Sequence, residues 1–149
     1  MVTCFIDTST LLYPLDERAP AKAATCRAWL SRLRRERRLV MSLQVLNESY
    51  WVVTRKPHFA AVRPVIRGHL ERYGRWATAP LDSDTLVQAW AIQDRYGAGF
   101  WDGLLLASAN AAGCTHFLSE DLSDSQRYGR VTVVDPFRHA PEDVLGRAP

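Results

Sequence analysis

The chain has little of what would anchor, staple or export it. No apolar stretch reaches the roughly 18 residues that a membrane-spanning helix needs. The opening MVTCFIDTS carries no basic segment and meets Asp7 too early for the apolar core of a signal peptide. A cytoplasmic protein without a membrane association is therefore expected. Cysteine is scarce: Cys4, Cys26 and Cys114 are odd in number, far apart and set among apolar neighbours. They read as buried thiols, not as a disulfide framework or a zinc site. Of the four histidines, His69, His116 and His139 show no ligand spacing with the cysteines. Lysine occurs only at Lys22 and Lys56, so the other basic residues are all arginine. Arginine forks match phosphate oxygens, but a nucleotide bias that also enriches alanine gives the same composition. An excess of one charge is also missing: 19 basic against 16 acidic residues leave +3, which by itself names no polyanionic partner.

What is present is an ordinary globular composition, 47% apolar and 23% charged over 149 residues. No repeat, linker or low-complexity tract divides it, so residues 1–149 read as one domain. Short apolar runs alternate with helical patterns. Strands are predicted over 2–6, 39–41, 77–79, 115–118 and 131–134. Helices are predicted over 19–35, from a Ser42 cap to about 54, over 60–73 with Pro64 tolerable only near the first turn, from Asp82 or Ser83 to Gly97, and from Asp102 to Gly113. This alternation predicts an α/β sandwich with a mainly parallel sheet.

Sites in such sheets form beyond the carboxyl ends of the strands. Asp7 ends the first predicted strand and the Ser119-Glu120-Asp121 group ends the fourth. Glu48 sits on the helix after the second strand, and Asp102 at a helix start. Four distant segments thus bring acids to one edge. At about 5 Å and an effective dielectric of 20, two carboxylates repel by ~3 kcal/mol. A cluster stays ionised only beside cations, or some acids take up protons. All-oxygen donors select hard ions, so Mg2+ or Mn2+ is the expected cofactor. Such an ion deprotonates water and stabilises a phosphodiester transition state without a histidine base. Singly, each acid has a simpler explanation: a turn at Asp7, a helix cap at Asp102, a solubilising loop at Glu120, Asp121 and Asp124. Glu48 as a solvated residue fits less well, because LNESYWVV surrounds it with apolar residues.

The segments FIDTSTLLY, SLQVLNESYWVV, FWDGLLLASANAAG and FLSEDLSDSQRYGRVTVVDPF, in this order, resemble PIN-domain ribonucleases. The likeness is nearest to the toxin component of VapBC-type toxin–antitoxin pairs and covers nearly the whole chain. It implies a PIN-like three-layer α/β/α sandwich with a mainly parallel central sheet. It implies catalytic and metal-binding roles for Asp7, Glu48, Asp102 and Asp121, with Ser9, Ser119 and Glu120 in support. Two positions depart from the pattern: Ser125 replaces a common glycine, and Asp135 replaces a common asparagine before Pro-Phe.

The resemblance further implies a metal-dependent endoribonuclease whose substrate is a structured RNA. A cognate antitoxin protein would neutralise it, and a homodimer and a toxin–antitoxin hetero-oligomer are expected. Arg55 and Lys56, after the Glu48 helix, are candidates for RNA contact. The run Arg32 to Arg38 reads either as a solvated helix end or as a phosphate-binding rim. Leu11, Leu12, Trp29 and Leu33 are expected to offer an apolar face to the antitoxin. The five tryptophans read as core or partner contacts, with Trp101 singled out by its place beside Asp102. Alternatives of the same fold are a housekeeping PIN nuclease in RNA processing, or a catalytically weak PIN domain that binds RNA or protein. A phosphoacceptor receiver domain would need a late lysine, but the last is Lys56. A haloacid-dehalogenase-type phosphatase would need an aspartate where Ser9 stands.

Overall fold

The computed structural model describes all 149 residues. A five-stranded sheet runs in the order β2-β1-β3-β5-β4. Its strands are β1 (Cys4–Ile6), β2 (Leu39–Val40), β3 (His116–Leu118), β4 (Arg127–Tyr128) and β5 (Val131–Val134). β1 lies parallel to both β2 and β3, and β3 parallel to β5; only β4 runs antiparallel. All three residues of β1 are buried, so helices cover both sheet faces, as a three-layer α/β/α sandwich requires. Phe5 and Phe117 on neighbouring strands stack at 5.3 Å in the middle of the core.

The helices are α1 (Thr8–Leu12), α2 (Pro20–Arg35), α3 (Leu43–Arg55), α4 (Ile66–Tyr73), α5 (Ser83–Tyr96), α6 (Phe100–Ala111) and α7 (Pro141–Leu145). Pro20 opens α2 at the position where its missing N–H costs no hydrogen bond. α5 has a capping box: Asp82 accepts from the Thr85 N–H at 3.0 Å, and the Asp82 N–H donates to the Thr85 hydroxyl at 2.8 Å. Gly97 ends it with φ +70°, a conformation that favours glycine. α6 then packs closely on α5, because a Cβ at Gly103 would stand 3.3 Å from the Ala89 carbonyl oxygen.

Several predicted details differ. Residues 77–79 form no strand; the Met41 N–H instead bonds the Trp76 carbonyl, and the Ala79 N–H bonds Met41. Pro57–Val65 winds as a 3-10 helix, and Pro64 falls in it, before α4 begins. Ser42 occupies the cap of α3, but its hydroxyl is buried and makes no bond. The expected exposed apolar face of the first helices is absent: Leu11, Leu12, Trp29 and Leu33 are all buried. The Trp29 indole N–H donates to the carbonyls of Pro136 and His139, each at 3.2 Å, so the C-terminal segment closes over α2.

The arginine run divides. Arg32 is buried, bonded to Glu36 at 2.6 Å and to the Gly146 carbonyl. Arg34 and Arg35 instead join Arg72 and Arg75 along a surface groove. The cysteines are free and buried as expected, and burial raises the Cys4 and Cys26 thiols to about 12. No helix is long and apolar enough to cross a membrane.

Candidate functional site

β1 and β3 pair with Ile6 opposite Leu118, so Asp7 and Ser119 leave the sheet side by side at its carboxyl end. The Asp7 N–H continues the ladder to the Leu118 carbonyl at 3.3 Å. Asp7 also caps α1, where its Oδ1 accepts the N–H of Thr10 at 2.9 Å and the Thr10 hydroxyl at 2.8 Å. This fixes the carboxylate in a nearly water-free position, only 5% exposed. Burial raises its pKa to about 6; the bonds from Thr10 and the Ser119 hydroxyl pull it down, and the Asp121 charge pushes it further up.

Glu48 reaches the same edge from the second turn of α3. Its Oε2 accepts the Thr8 hydroxyl at 2.7 Å, and its Oε1 accepts the Gln44 amide at 2.6 Å. Gln44 lies four residues back on the same helix and also donates to the Trp101 carbonyl at 3.2 Å. One side chain thus links α3 to the start of α6. Asp102 is the third residue of α6, not its cap, which is Gly99. Burial raises the Asp102 carboxyl, and the charges of Asp121 and Glu48 add to the rise.

Asp121 is the exposed member of the group. Its N–H donates to the buried Ser119 hydroxyl at 3.1 Å. Its charge adds to the rise that burial causes at both Asp7 and Asp102. The four acids are not gathered into a tight cage: no three His, Cys, Asp or Glu side chains stand close enough to hold a metal ion. Every donor is nonetheless an oxygen, the set that suits a hard divalent ion. Beside them the Gln44 amide oxygen is buried without a protein partner.

The supporting residues divide. Glu120 turns from the acids to Tyr13 and to Lys22, whose Nζ lies 2.7 Å away. Burial pushes its carboxyl up, but Lys22 and Tyr13 outweigh that and hold it below its ordinary value. Ser9 makes no hydrogen bond to an acid and lines a separate cleft with Lys56 and Tyr13. Two hydroxyls that the sequence reading did not single out, those of Thr10 and Thr8, bond Asp7 and Glu48 respectively. The first was visible as an aspartate-cap spacing, D-x-x-T, and Gln44 as a partner one turn before Glu48. Arg55 stacks over the Trp51 ring, 4.5 Å from its centroid.

The departures from the family pattern have physical readings. Ser125 adopts φ +69°, in the left-handed region that favours glycine. Asp135 Oδ1 accepts the Phe137 N–H at 2.9 Å, a turn that asparagine makes equally well. Just before Ser125, Asp124 accepts the Asp135 N–H at 2.9 Å and pairs with His139 at 2.8 Å, tying the loop after Asp121 to the C-terminal segment.

No curated protein sequence matches the chain. Among solved structures, a DNA-bound VapBC from Salmonella typhimurium aligns with a TM-score of 0.64 at 17% identity. The alignment covers 91% of this chain and 99% of that one. VapC20 of Mycobacterium tuberculosis, a sarcin-ricin loop cleaving toxin, aligns with a TM-score of 0.54 at 20% identity. It covers 77% of this chain and 87% of that one. At these identities the likeness is one of fold. The sequence profile of the PIN domain matches residues 4–129, which contain all four acids, and the chain belongs to the PIN-domain family.

Proposed function

We propose that this protein is a divalent-metal-dependent endoribonuclease that acts as the toxin of a type II toxin–antitoxin pair. The observation that carries the reading is geometric: Asp7 and the loop with Asp121 leave paired strand ends side by side, and Gln44 ties Glu48 to the Trp101 carbonyl next to Asp102. A divalent cation offsets the negative charge that these carboxylates bring to one place.

Asp7, Asp102 and Asp121 are the ligands of this reading, and Glu48 completes the set. When bound, Mg2+ or Mn2+ supplies a water of lowered pKa and positive charge for the phosphodiester oxygens. Asp7 contributes a carboxylate with its orientation fixed by Thr10. Glu48, held by Thr8 and Gln44, is the group placed to accept a proton from water. Lys22 keeps Glu120 out of the metal site and so anchors the loop that carries Asp121. The orphaned Gln44 oxygen offers an acceptor to ordered water.

The VapBC likeness supports an antitoxin partner and a toxin–antitoxin assembly, but not through Trp29 and Leu33, which are inaccessible. The test is cleavage of total RNA with and without Mg2+, alongside Asp7→Asn. Wild type is expected to cut only with the metal, and Asp7→Asn to keep its fold and lose most activity. Equal cleavage by both proteins, or cleavage in chelator, contradicts the reading. Co-purification with the product of a neighbouring small gene separates a toxin from a housekeeping nuclease.

A further inference from the structure

Two indoles flank the acids, and the proposed hydrolysis leaves them without a role. Trp51 follows Glu48 by three residues on α3, a spacing that puts both on one helix face. Trp101 precedes Asp102 on α6. Both are open to solvent, Trp51 at 54% and Trp101 at 66%. With Glu48 and Asn47 they line one cavity of about 570 Å3, within the range of ligand sites. Their placement is tied to the acids, because the Gln44 amide donates both to the Trp101 carbonyl and to Glu48. Arg55 stacks on Trp51, its guanidinium 4.5 Å from the ring centroid, and so brings a cation next to one of the two indoles.

An occupant of this cavity must offer flat faces to two indoles, negative charge to Arg55, and a reacting group to the acids beside Glu48. An unpaired stretch of polynucleotide meets all three demands. We infer that Trp51 and Trp101 form a stacking subsite for an unpaired nucleobase of single-stranded RNA next to the scissile phosphodiester, with Arg55 on a neighbouring phosphate. The inference rests on the ribonuclease reading above. Every base has a stacking face, so the subsite selects unpaired over paired RNA more than one base over another. A duplex keeps its bases stacked on each other and cannot deliver one to the cavity. The Asn47 amide adds a donor and an acceptor for a base edge.

The test uses the full chain as wild type, Trp51→Ala, Trp101→Ala and Trp101→Phe. Fluorescence anisotropy reads binding of a short fluorescein-labelled single-stranded RNA and of a blunt duplex, with Ca2+ replacing Mg2+. Steady-state cleavage with Mg2+ gives kcat and KM. Each alanine variant is expected to bind the single strand roughly tenfold to hundredfold more weakly. KM should rise with kcat nearly kept, and Trp101→Phe should retain most of the affinity. The duplex should bind wild type more weakly than the single strand and should not distinguish the variants. Unchanged single-strand affinity in both alanine variants overturns the inference. So does a loss accompanied by a fall in sedimentation mass from dimer to monomer, which would make this face an interface between copies. If wild type binds and cuts RNA and the alanine variants do so equally, the subsite alone falls. If wild type neither binds nor cuts any RNA, the subsite and the ribonuclease reading fall together.

Discussion

Asp7 carries an ionisable group where water hardly reaches, and its pH behaviour follows from that. Its carboxyl moves from 3.8 to about 6 on folding, mainly through burial. Below both values it is protonated in the folded and unfolded chains alike. As pH rises from about 4 to 6, the unfolded chain releases the proton first, so metal-free stability falls across this window. Above it the folded protein holds a buried charge, at a cost of ~3 kcal/mol. Urea unfolding of metal-free protein should therefore show Asp7→Asn more stable than wild type at neutral pH, with the difference vanishing near pH 4 or below (about the unfolded value). A variant less stable than wild type at neutral pH would contradict the burial argument. Ser125 tests a second residue-level point. It stands at φ +69° with its side chain exposed. Ser125→Gly should remove the left-handed penalty and, after the extra chain entropy of glycine, raise stability by about 0.5–1 kcal/mol. Thermal unfolding without a gain would show that the loop is not strained there.

Elements were legible in the sequence wherever a pattern ran long enough to repeat. α2, α3 and α5 were readable from helical spacing, Pro20, Asp82 and Gly97, and β1, β3 and β5 from short apolar runs. α1 was missed because TSTLL is too short to show a period, and β4 because two residues, one an arginine, carry no strand signal. The helix expected from residue 60 is 3-10 up to Val65, since Pro64 cannot donate to an α-helical ladder. The four acids were visible one by one. What holds them was not: the Thr8 hydroxyl and Glu48 are 40 residues apart, and only folding brings them together. The apolar face of α2 was also legible, but not what covers it. Trp29 is fully buried and bonded to the C-terminal segment. Trp29→Ala should cost about 3–5 kcal/mol of stability. Denaturant unfolding that shows less than 1 kcal/mol would mean that the segment after Pro136 does not seal this helix.

At the scale of the molecule, the fold is a device for bringing distant acids to one edge. β1 delivers Asp7, β3 delivers the loop 119–121, α3 presents Glu48, and α6, packed closely on α5, carries Asp102. Asp7 and Asp102 are both raised mainly by burial, and the charge of Asp121 adds to each rise. The proposed function requires that the four acids together bind one shared divalent cation. Calorimetric titration of Mn2+ into wild type, Asp7→Asn, Glu48→Gln, Asp102→Asn and Asp121→Asn at neutral pH tests it most directly. Binding to wild type, weakened in all four variants while each keeps its fold, is the predicted result. No binding to wild type, or affinity unchanged by these substitutions, would contradict the claim.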